Sequence, residues 1–203
     1  MRILITAGPT REPIDAVRYL SNRSSGRMGA SLAAAAMREH TVTMVLGPVA
    51  MQMPDIRRID VETAAEMQRV VMHEFPQHDL LIMAAAVADY RPKQFQAGKI
   101  DRAGAMTLEL EQTQDIIATA SQSKRSDQRT VAFSLESAGN VDRARQKMLR
   151  KGVDMIVYNP TATMNSDIVE AILLYPDGRS EELPCRGKAD FADILLQRAA
   201  ALF

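Results

Sequence analysis

The chain switches repeatedly between two hydrophobic periods, and that alternation confines it to one class of architecture. Short runs rich in β-branched residues and leucine fall at 2–6, 41–46, 57–61, 79–83, 131–134 and 155–158, and each reads as a strand. The run at 79–83 is nearly continuous in apolar residues, as in a strand covered on both faces. Between these runs the period changes to that of a helix. Segment 26–39 sets Met28, Leu32, Ala35 and Ala36 on one face, and 62–74 spaces Ala64, Met67, Val70 and Val71 likewise. A third helix is expected at 141–151. Strand alternating with helix predicts an α/β fold with a doubly wound, mainly parallel, Rossmann-like sheet.

Two segments depart from the alternation. Residues 90–113 hold Pro92, Gly98 and Gly104, followed by an alternating run at 106–110. They read as a mobile loop and a peripheral strand. Residues 171–175 and 180–183 flank Pro176-Asp177-Gly178-Arg179 and read as a β-hairpin. The stretch 188–203 is an amphipathic helix through Phe191, Ile194, Leu195 and Leu202. No repeat, low-complexity tract or linker divides the 203 residues, so one domain over 1–203 is expected.

Composition removes several function classes. Twenty-five basic residues balance twenty-five acidic ones, which argues against a nucleic-acid partner bound through a broad basic surface. The single cysteine, Cys185, excludes an intramolecular disulfide framework and a multi-cysteine zinc site, and reads as a structural thiol. His40, His73 and His78 are scattered, so no structural metal site is expected. No run of about 18 apolar residues is present for a membrane span. The first strand reaches Gly8-Pro9 too soon for a signal-peptide core, and a cytoplasmic setting is expected.

Five places carry candidate chemistry, each beside a plainer structural reading. The loop Thr6-Ala-Gly-Pro-Thr-Arg-Glu-Pro follows the first strand, where open α/β sheets bind ligands, but Gly8-Pro9 is also an ordinary turn. The glycine fingerprint G-x-G-x-x-G is missing there, which disfavours a nicotinamide dehydrogenase. Arg18, Asn22, Ser24, Ser25, Gly26 and Arg27 lead into a helix N-terminus, the natural seat of a phosphate or carboxylate. The alternative is that a serine merely caps the helix. In Met83-Ala84-Ala85-Ala86-Val87-Ala88-Asp89, small side chains admit either a nucleotide or a closely packed helix. Lys99 is a solvated loop lysine or one that closes on a phosphate site. Lys147 and Lys151 stand four apart on one helix, either as surface charges or as a triphosphate grip.

Together these stretches resemble the phosphopantothenate–cysteine ligase family. Four pieces carry the resemblance: Ile5-Thr-Ala-Gly-Pro-Thr-Arg-Glu-Pro, Val17-Arg-Tyr-Leu-Ser-Asn-Arg-Ser-Ser-Gly-Arg-Met-Gly, Ala84-Ala-Ala-Val-Ala-Asp-Tyr-Arg and Arg145-Gln-Lys-Met-Leu-Arg-Lys. It runs from Ile3 to the last helix. The resemblance implies ligation of 4′-phosphopantothenate to cysteine, with CTP and Mg2+, through an acyl-cytidylate. It also implies a homodimer. The strand-like 106–110 and the 170–184 hairpin are expected to offer the surface that dimer buries. By matching position, Asn22 holds the intermediate, Arg18 serves amide formation, and Lys99 serves formation of the intermediate. Asp89 and the backbone of Met83, Ala84 and Ala85 match cytosine and ribose contacts. Phe133 matches an aromatic beside the nucleotide, Asp115 and Ile116 its edge, and Lys147 and Lys151 the triphosphate lysines. Many family members are fused to a flavin-dependent decarboxylase, which is expected to be absent from this chain and to be a separate partner if present.

Two departures bear on nucleotide preference. After Lys99 the chain reads Ile-Asp101-Arg102, where the family often has further lysines. Where the family often has Asn-Pro-Asp, this chain has Thr113-Gln114-Asp115. Two other readings are an NAD(P)-binding reductase or sensor on the same scaffold, and a non-catalytic subunit of a flavoprotein decarboxylase.

Overall fold

The computed structural model describes residues 1–136, 140–160 and 166–203. In chain order the elements are β1 (Arg2–Ala7), a short pair β2 (Arg11–Pro13) and β3 (Tyr19–Ser21), α1 (Arg27–Ala36), β4 (Thr41–Leu46), β5 (Arg57–Asp60) and α2 (Ala64–Glu74). A 3₁₀ turn (Phe75–Gln77) leads to β6 (Leu80–Met83), the short strands β7 (Tyr90–Pro92) and β8 (Leu110–Gln112), and α3 (Ile116–Ser123). The chain ends with β9 (Arg129–Glu136), α4 (Val141–Lys151), β10 (Met155–Pro160), β11 (Ile168–Leu174), β12 (Ser180–Gly187) and α5 (Lys188–Ala200).

Eight strands form the main sheet, in the order β12-β11-β10-β9-β6-β1-β4-β5. Ladders from β10 through to β5 are parallel, and β11 and β12 add an antiparallel hairpin at one edge. The strand pleat divides the core into two layers. On β1, Ile3, Ile5 and Ala7 pack with Leu32, Ala33 and Ala36 of α1 and Phe191, Leu195 and Ala199 of α5. Leu4 turns to the other face, among Met67 and Val71 of α2, Ile117 and Ala120 of α3 and Met148 of α4. Both faces of β6 are apolar for the same reason: Leu80 and Ile82 face one layer, Leu81 and Met83 the other. The expected doubly wound, mainly parallel sheet is therefore the observed one.

Helix α2 begins where its sequence can satisfy the first free amides. Thr63 accepts from the Glu66 N–H at 3.2 Å while Glu66 reaches back to the Thr63 N–H, a reciprocal capping box. The buried Glu12 of β2 adds a further acceptor, 2.8 Å from the Ala64 N–H.

The periphery differs from expectation in three ways. The strand placed at 106–110 is instead β8, Leu110–Gln112, paired antiparallel with β7. The hairpin is longer than 171–183, and its strands continue the main ladder from β10. Val169, Ala171 and Leu173 of β11 are buried in the α5 layer, so one row of this hairpin belongs to the core while most of β12 stays exposed or half-buried. Helix α3 and the β2–β3 pair were not anticipated. Among the described residues, no helix is long and apolar enough to cross a membrane.

Candidate functional site

From β1 the chain moves outward to β4 and β5, then crosses back to β6 on the other side of β1. The reversal opens a crevice at the carboxyl ends of β1 and β6, where Thr6 lies beside Met83. A cleft of about 530 Å³ sits there. It is lined by Asn22–Gly29, Met83–Val87, Asp89, 112–117 and 132–135, with Lys147, Lys151, Asn159 and Lys188.

The alanine strip is knitted to the loop after β1. Ala86 N–H donates to the Gly8 carbonyl at 2.9 Å, and Thr10 N–H to the Ala86 carbonyl at 3.3 Å. Thr6 Oγ1 accepts from Ala85 N–H at 3.2 Å, and Thr10 Oγ1 accepts from Ala88 N–H at 2.9 Å. Asn22 closes the strip from above. Its Nδ2 donates to the Val87 carbonyl at 2.8 Å and reaches the Ala86 carbonyl at 3.4 Å. The amide nitrogen of the residue expected to hold the intermediate thus rests on backbone carbonyls at the rim of the cleft.

Glycine fixes the approach of the surrounding loops. Gly8 has φ +77°, and a Cβ there would lie 2.8 Å from the Gly47 carbonyl oxygen. Gly8 itself, expected among the nucleotide contacts, does not line the cleft. Gly29 allows α1 to lie on β1, since a Cβ on it would sit 2.3 Å from that of Ala7. This close approach brings the first turn of α1 to the cleft. The N-cap is Gly26, and no side chain caps the helix, so the serine-cap alternative does not hold. Ser24 Oγ instead accepts from Gly26 N–H at 3.4 Å. Ser24, Ser25 and the first-turn amides all stand at the lining, an arrangement suited to an anion.

The opposite wall is cationic, with each lysine held by a carboxylate. Lys147 hydrogen-bonds the buried Glu136 of β9, which also accepts from Ser134 Oγ at 3.1 Å and lies 3.7 Å from Arg143. Burial pushes the Glu136 carboxyl up, but Lys147, Ser134 and Arg143 outweigh it and hold the group below its ordinary range. Lys151 lies 3.1 Å from Asp115, whose other oxygen caps α3 through Ala118 N–H at 3.2 Å. The i,i+4 lysines therefore do not confront each other uncompensated. Phe133 and Ile116 also line the cleft, and Asp89 among its lining residues is exposed.

Sequence reasoning missed Lys188, Asn159, Ser134 and Glu136. Lys188 begins α5, donates to the Ser166 carbonyl and faces the cleft beside Arg27. Burial, then Arg27, pushes its ammonium below the usual lysine range, with Asp167 opposing. Its signal was a lysine at the first turn of a helix, where the dipole disfavours a cation. Glu136 follows the apolar run of β9 and gives no periodic signal.

Arg18 and Lys99 do not line the cleft. Arg18 pairs with buried Asp15 at 2.9 Å, and Lys99 is exposed on the loop between β7 and β8. The two are nonetheless neighbours, because Arg18 Nη2 donates to the carbonyl of Ile100 at 3.2 Å.

A profile of the family described as the DNA/pantothenate metabolism flavoprotein C-terminal domain matches residues 1–202. The chain is 40% identical over 206 residues to the coenzyme A biosynthesis bifunctional protein CoaBC of Escherichia coli K12, covering 97% of this chain and 50% of that protein. It is 47% identical over 162 residues to a cysteine/cysteine sulfinic acid decarboxylase of an unknown prokaryotic organism, covering 78% and 45%. The chain thus spans about half the length of these curated relatives. Among solved structures, the C-terminal domain of a CoaBC protein superposes with TM-score 0.85 at 36% identity, covering 99% of this chain and 95% of that one. A Cab2 mutant in complex with phosphopantothenate-cysteine shares the fold, at TM-score 0.81 and 16% identity over 98% and 85%. The family reached from the sequence motifs is the one these matches identify.

Proposed function

Because the chain belongs to the family of the DNA/pantothenate metabolism flavoprotein C-terminal domain, we propose that it joins 4′-phosphopantothenate to cysteine at the expense of CTP. One observation carries this reading: a single cleft brings together an open helix N-terminus, a small-residue strip and two lysines. That set can hold two anionic substrates and one flat base side by side. The CoaBC relative is named for coenzyme A biosynthesis, and one structural neighbour is in complex with phosphopantothenate-cysteine.

The chemistry follows from the carboxylate's need for a leaving group. A carboxylate oxygen attacks the α-phosphorus of CTP, the bond to pyrophosphate breaks, and an acyl-cytidylate forms. The cysteine amine then attacks the acyl carbon, CMP leaves, and the amine proton passes to solvent. Lys147 and Lys151 would exchange Glu136 and Asp115 for phosphate oxygens. Ala84 and Ala85 leave room for the cytidine against the backbone, with Phe133 beside the base and Asp89 near the ribose. Gly26 and the serines before it would take the anionic group of the acyl partner, with Asn22 above the reacting carbon. Lys99 would offset charge during activation, and Arg18 would serve the amine's attack.

Mg2+ would enter with the triphosphate and supply charge neutralisation on its oxygens. Among the described residues no cluster of three or more carboxylate, histidine or cysteine side chains could hold the ion by itself, so the cation would be carried mainly by the phosphate oxygens. Homodimerisation, a cytoplasmic setting and a flavin-dependent decarboxylase, fused or separate, belong to the same proposal.

The test is a nucleotide panel with product mass analysis. Pyrophosphate release should require phosphopantothenate and prefer CTP to ATP, and CMP should appear only when cysteine is added. Asn22→Asp should abolish turnover in a folded protein. No pyrophosphate with any nucleotide, or unchanged turnover in that variant, would refute the reading.

A further inference from the structure

Asp15 lies in the turn between β2 and β3 and is only 3% exposed. One carboxylate oxygen shapes the turn, accepting from Val17 N–H at 2.8 Å and Arg18 N–H at 2.7 Å. A turn needs no more than that. The second oxygen does something else. It accepts from Arg18 Nη1 at 2.9 Å and from Ile100 N–H at 3.1 Å, 85 residues along the chain. Arg18 Nη2 then donates to the carbonyl of the same Ile100 at 3.2 Å. Both polar groups of one loop residue are thus gripped, one by the carboxylate and one by its own guanidinium partner. Burial pushes the Asp15 carboxyl up, yet the backbone amides of Ile100, Val17 and Arg18, with the Arg18 charge, hold it below the usual range.

The loop has little else to hold it. It leaves β7 through a rung in which Lys93 N–H donates to the Glu109 carbonyl at 3.0 Å. Beyond that rung, among the described residues, its hydrogen bonds to the body go from Gln96 N–H to the Ile14 carbonyl at 3.3 Å and to the Asp15–Arg18 pair. Residues 93–99 and 101–107 are exposed. Ile100 is the half-buried point between them, and Lys99 precedes it directly.

We propose that Asp15 is a positioning residue: with Arg18 it clamps the peptide of Ile100 and so sets where Lys99 stands relative to the cleft. The clamp itself depends only on the geometry, whereas its catalytic consequence rests on the reading of Lys99 as the lysine of the activation step. Asp15 touches no reacting atom. It acts through the loop, and it ties Arg18 and Lys99 into one unit.

Two arms of experiment separate these statements. The first is limited proteolysis with trypsin, scored at the Arg102–Ala103 bond against cleavage elsewhere in the chain. Asp15→Asn leaves the shape of the side chain but removes its charge, and Ile100→Pro removes the loop's own N–H without touching Asp15. Losing hydrogen bonds to a charged acceptor should raise the open population, and with it cleavage, about 10- to 100-fold in each variant. Cleavage at the wild-type rate in folded Ile100→Pro would overturn the clamp, even if Asp15→Asn fails to fold. The second arm measures acyl-nucleotide formation in a single turnover for Asp15→Asn, Lys99→Gln and the double variant. Asp15→Asn should slow formation at saturating nucleotide, and should cost nothing further once Lys99 is gone. An equal loss on both backgrounds would show that Asp15 does not work through Lys99. A wild-type protein that forms no acyl-nucleotide would refute the ligase reading, while the protease arm would still decide the clamp.

Discussion

Asn22 lines the cleft, whereas Arg18 and Lys99 stand outside it, and the proposed division of the two half-reactions among them can be tested residue by residue. Asn22 is at the rim, docked on the carbonyls of Ala86 and Val87. Lys99 reaches it only through the loop. Removing the lysine's charge should slow acyl-cytidylate formation by roughly 10²–10³-fold, the usual loss for one contact that stabilises developing charge. Arg18→Gln should behave differently. Asp15 still holds the Ile100 N–H in that variant, so the loop keeps one of its two grips. Pyrophosphate should be released once and the intermediate should then persist, because the amide-forming step lacks its cation. Rapid quenching with labelled CTP, with and without cysteine, reads both outcomes. Accumulated intermediate in the lysine variant and none in the arginine variant would reverse the assignment. At this scale the residue types were legible and their partners were not. The motif around Asn22 named the candidates, but Lys147 meeting Glu136 and Lys151 meeting Asp115 depends on contacts between separate elements.

Strands of four residues or more and helices of ten residues or more announced themselves through period, and shorter elements did not. β1, β4, β6 and β10 are apolar runs buried over most of their length, so their sequences carry the signal of a two-sided sheet. Helix α3 is Ile-Ile-Ala-Thr-Ala-Ser-Gln-Ser, in which hydroxyl and amide residues dilute the stripe, and its start is marked by the Asp115 cap alone. Strands β2, β3, β7 and β8 are three residues each, too short for alternation to register. Gly29 shows how a motif can be read correctly as a site and incompletely as packing. Sequence marked the run into Gly29 as an anion loop, but the close fit of α1 on β1 depends on the missing side chain. Gly29→Ala would drive a methyl group against Ala7 and should destabilise the fold by about 1–3 kcal/mol, as overpacking of a tight contact does. Because the helix must shift away from β1, the first-turn amides move as well. Urea unfolding should show the loss, and nucleotide affinity should fall in the protein that remains folded. Full stability in this variant would mean that α1 is free to move without cost.

At the scale of the whole molecule, topology places the site and the surface pattern points to assembly. The main sheet ends in charged strands, with Arg57, Arg58 and Asp60 on β5 and Glu181, Glu182, Pro184 and Arg186 on β12, features that discourage edge pairing. The 170–184 hairpin, expected to supply a dimer surface, gives alternate residues of β11 to the core and leaves most of β12 exposed or half-buried. Exposed apolar side chains gather elsewhere. Val17, Tyr19, Tyr90, Phe95, Met106 and Leu110 are between 46% and 62% exposed, and all belong to the two short sheets or the segments joining their strands. Such a grouping costs a monomer solubility and suits a covered face. The dimer should therefore form through these short sheets. Light scattering at micromolar protein should give about twice the 22.4 kDa chain mass. Tyr90→Asp with Leu110→Asp places charge on β7 and β8 without touching Arg18, Asp15 or the loop between them, and should return the mass to that of one chain. The Lys99 loop lies between Phe95 and Met106, both exposed, so if the dimer covers them its loss should also raise trypsin cleavage at Arg102–Ala103. A wild-type mass of one chain, or a double variant that stays dimeric, would remove this face from the assembly.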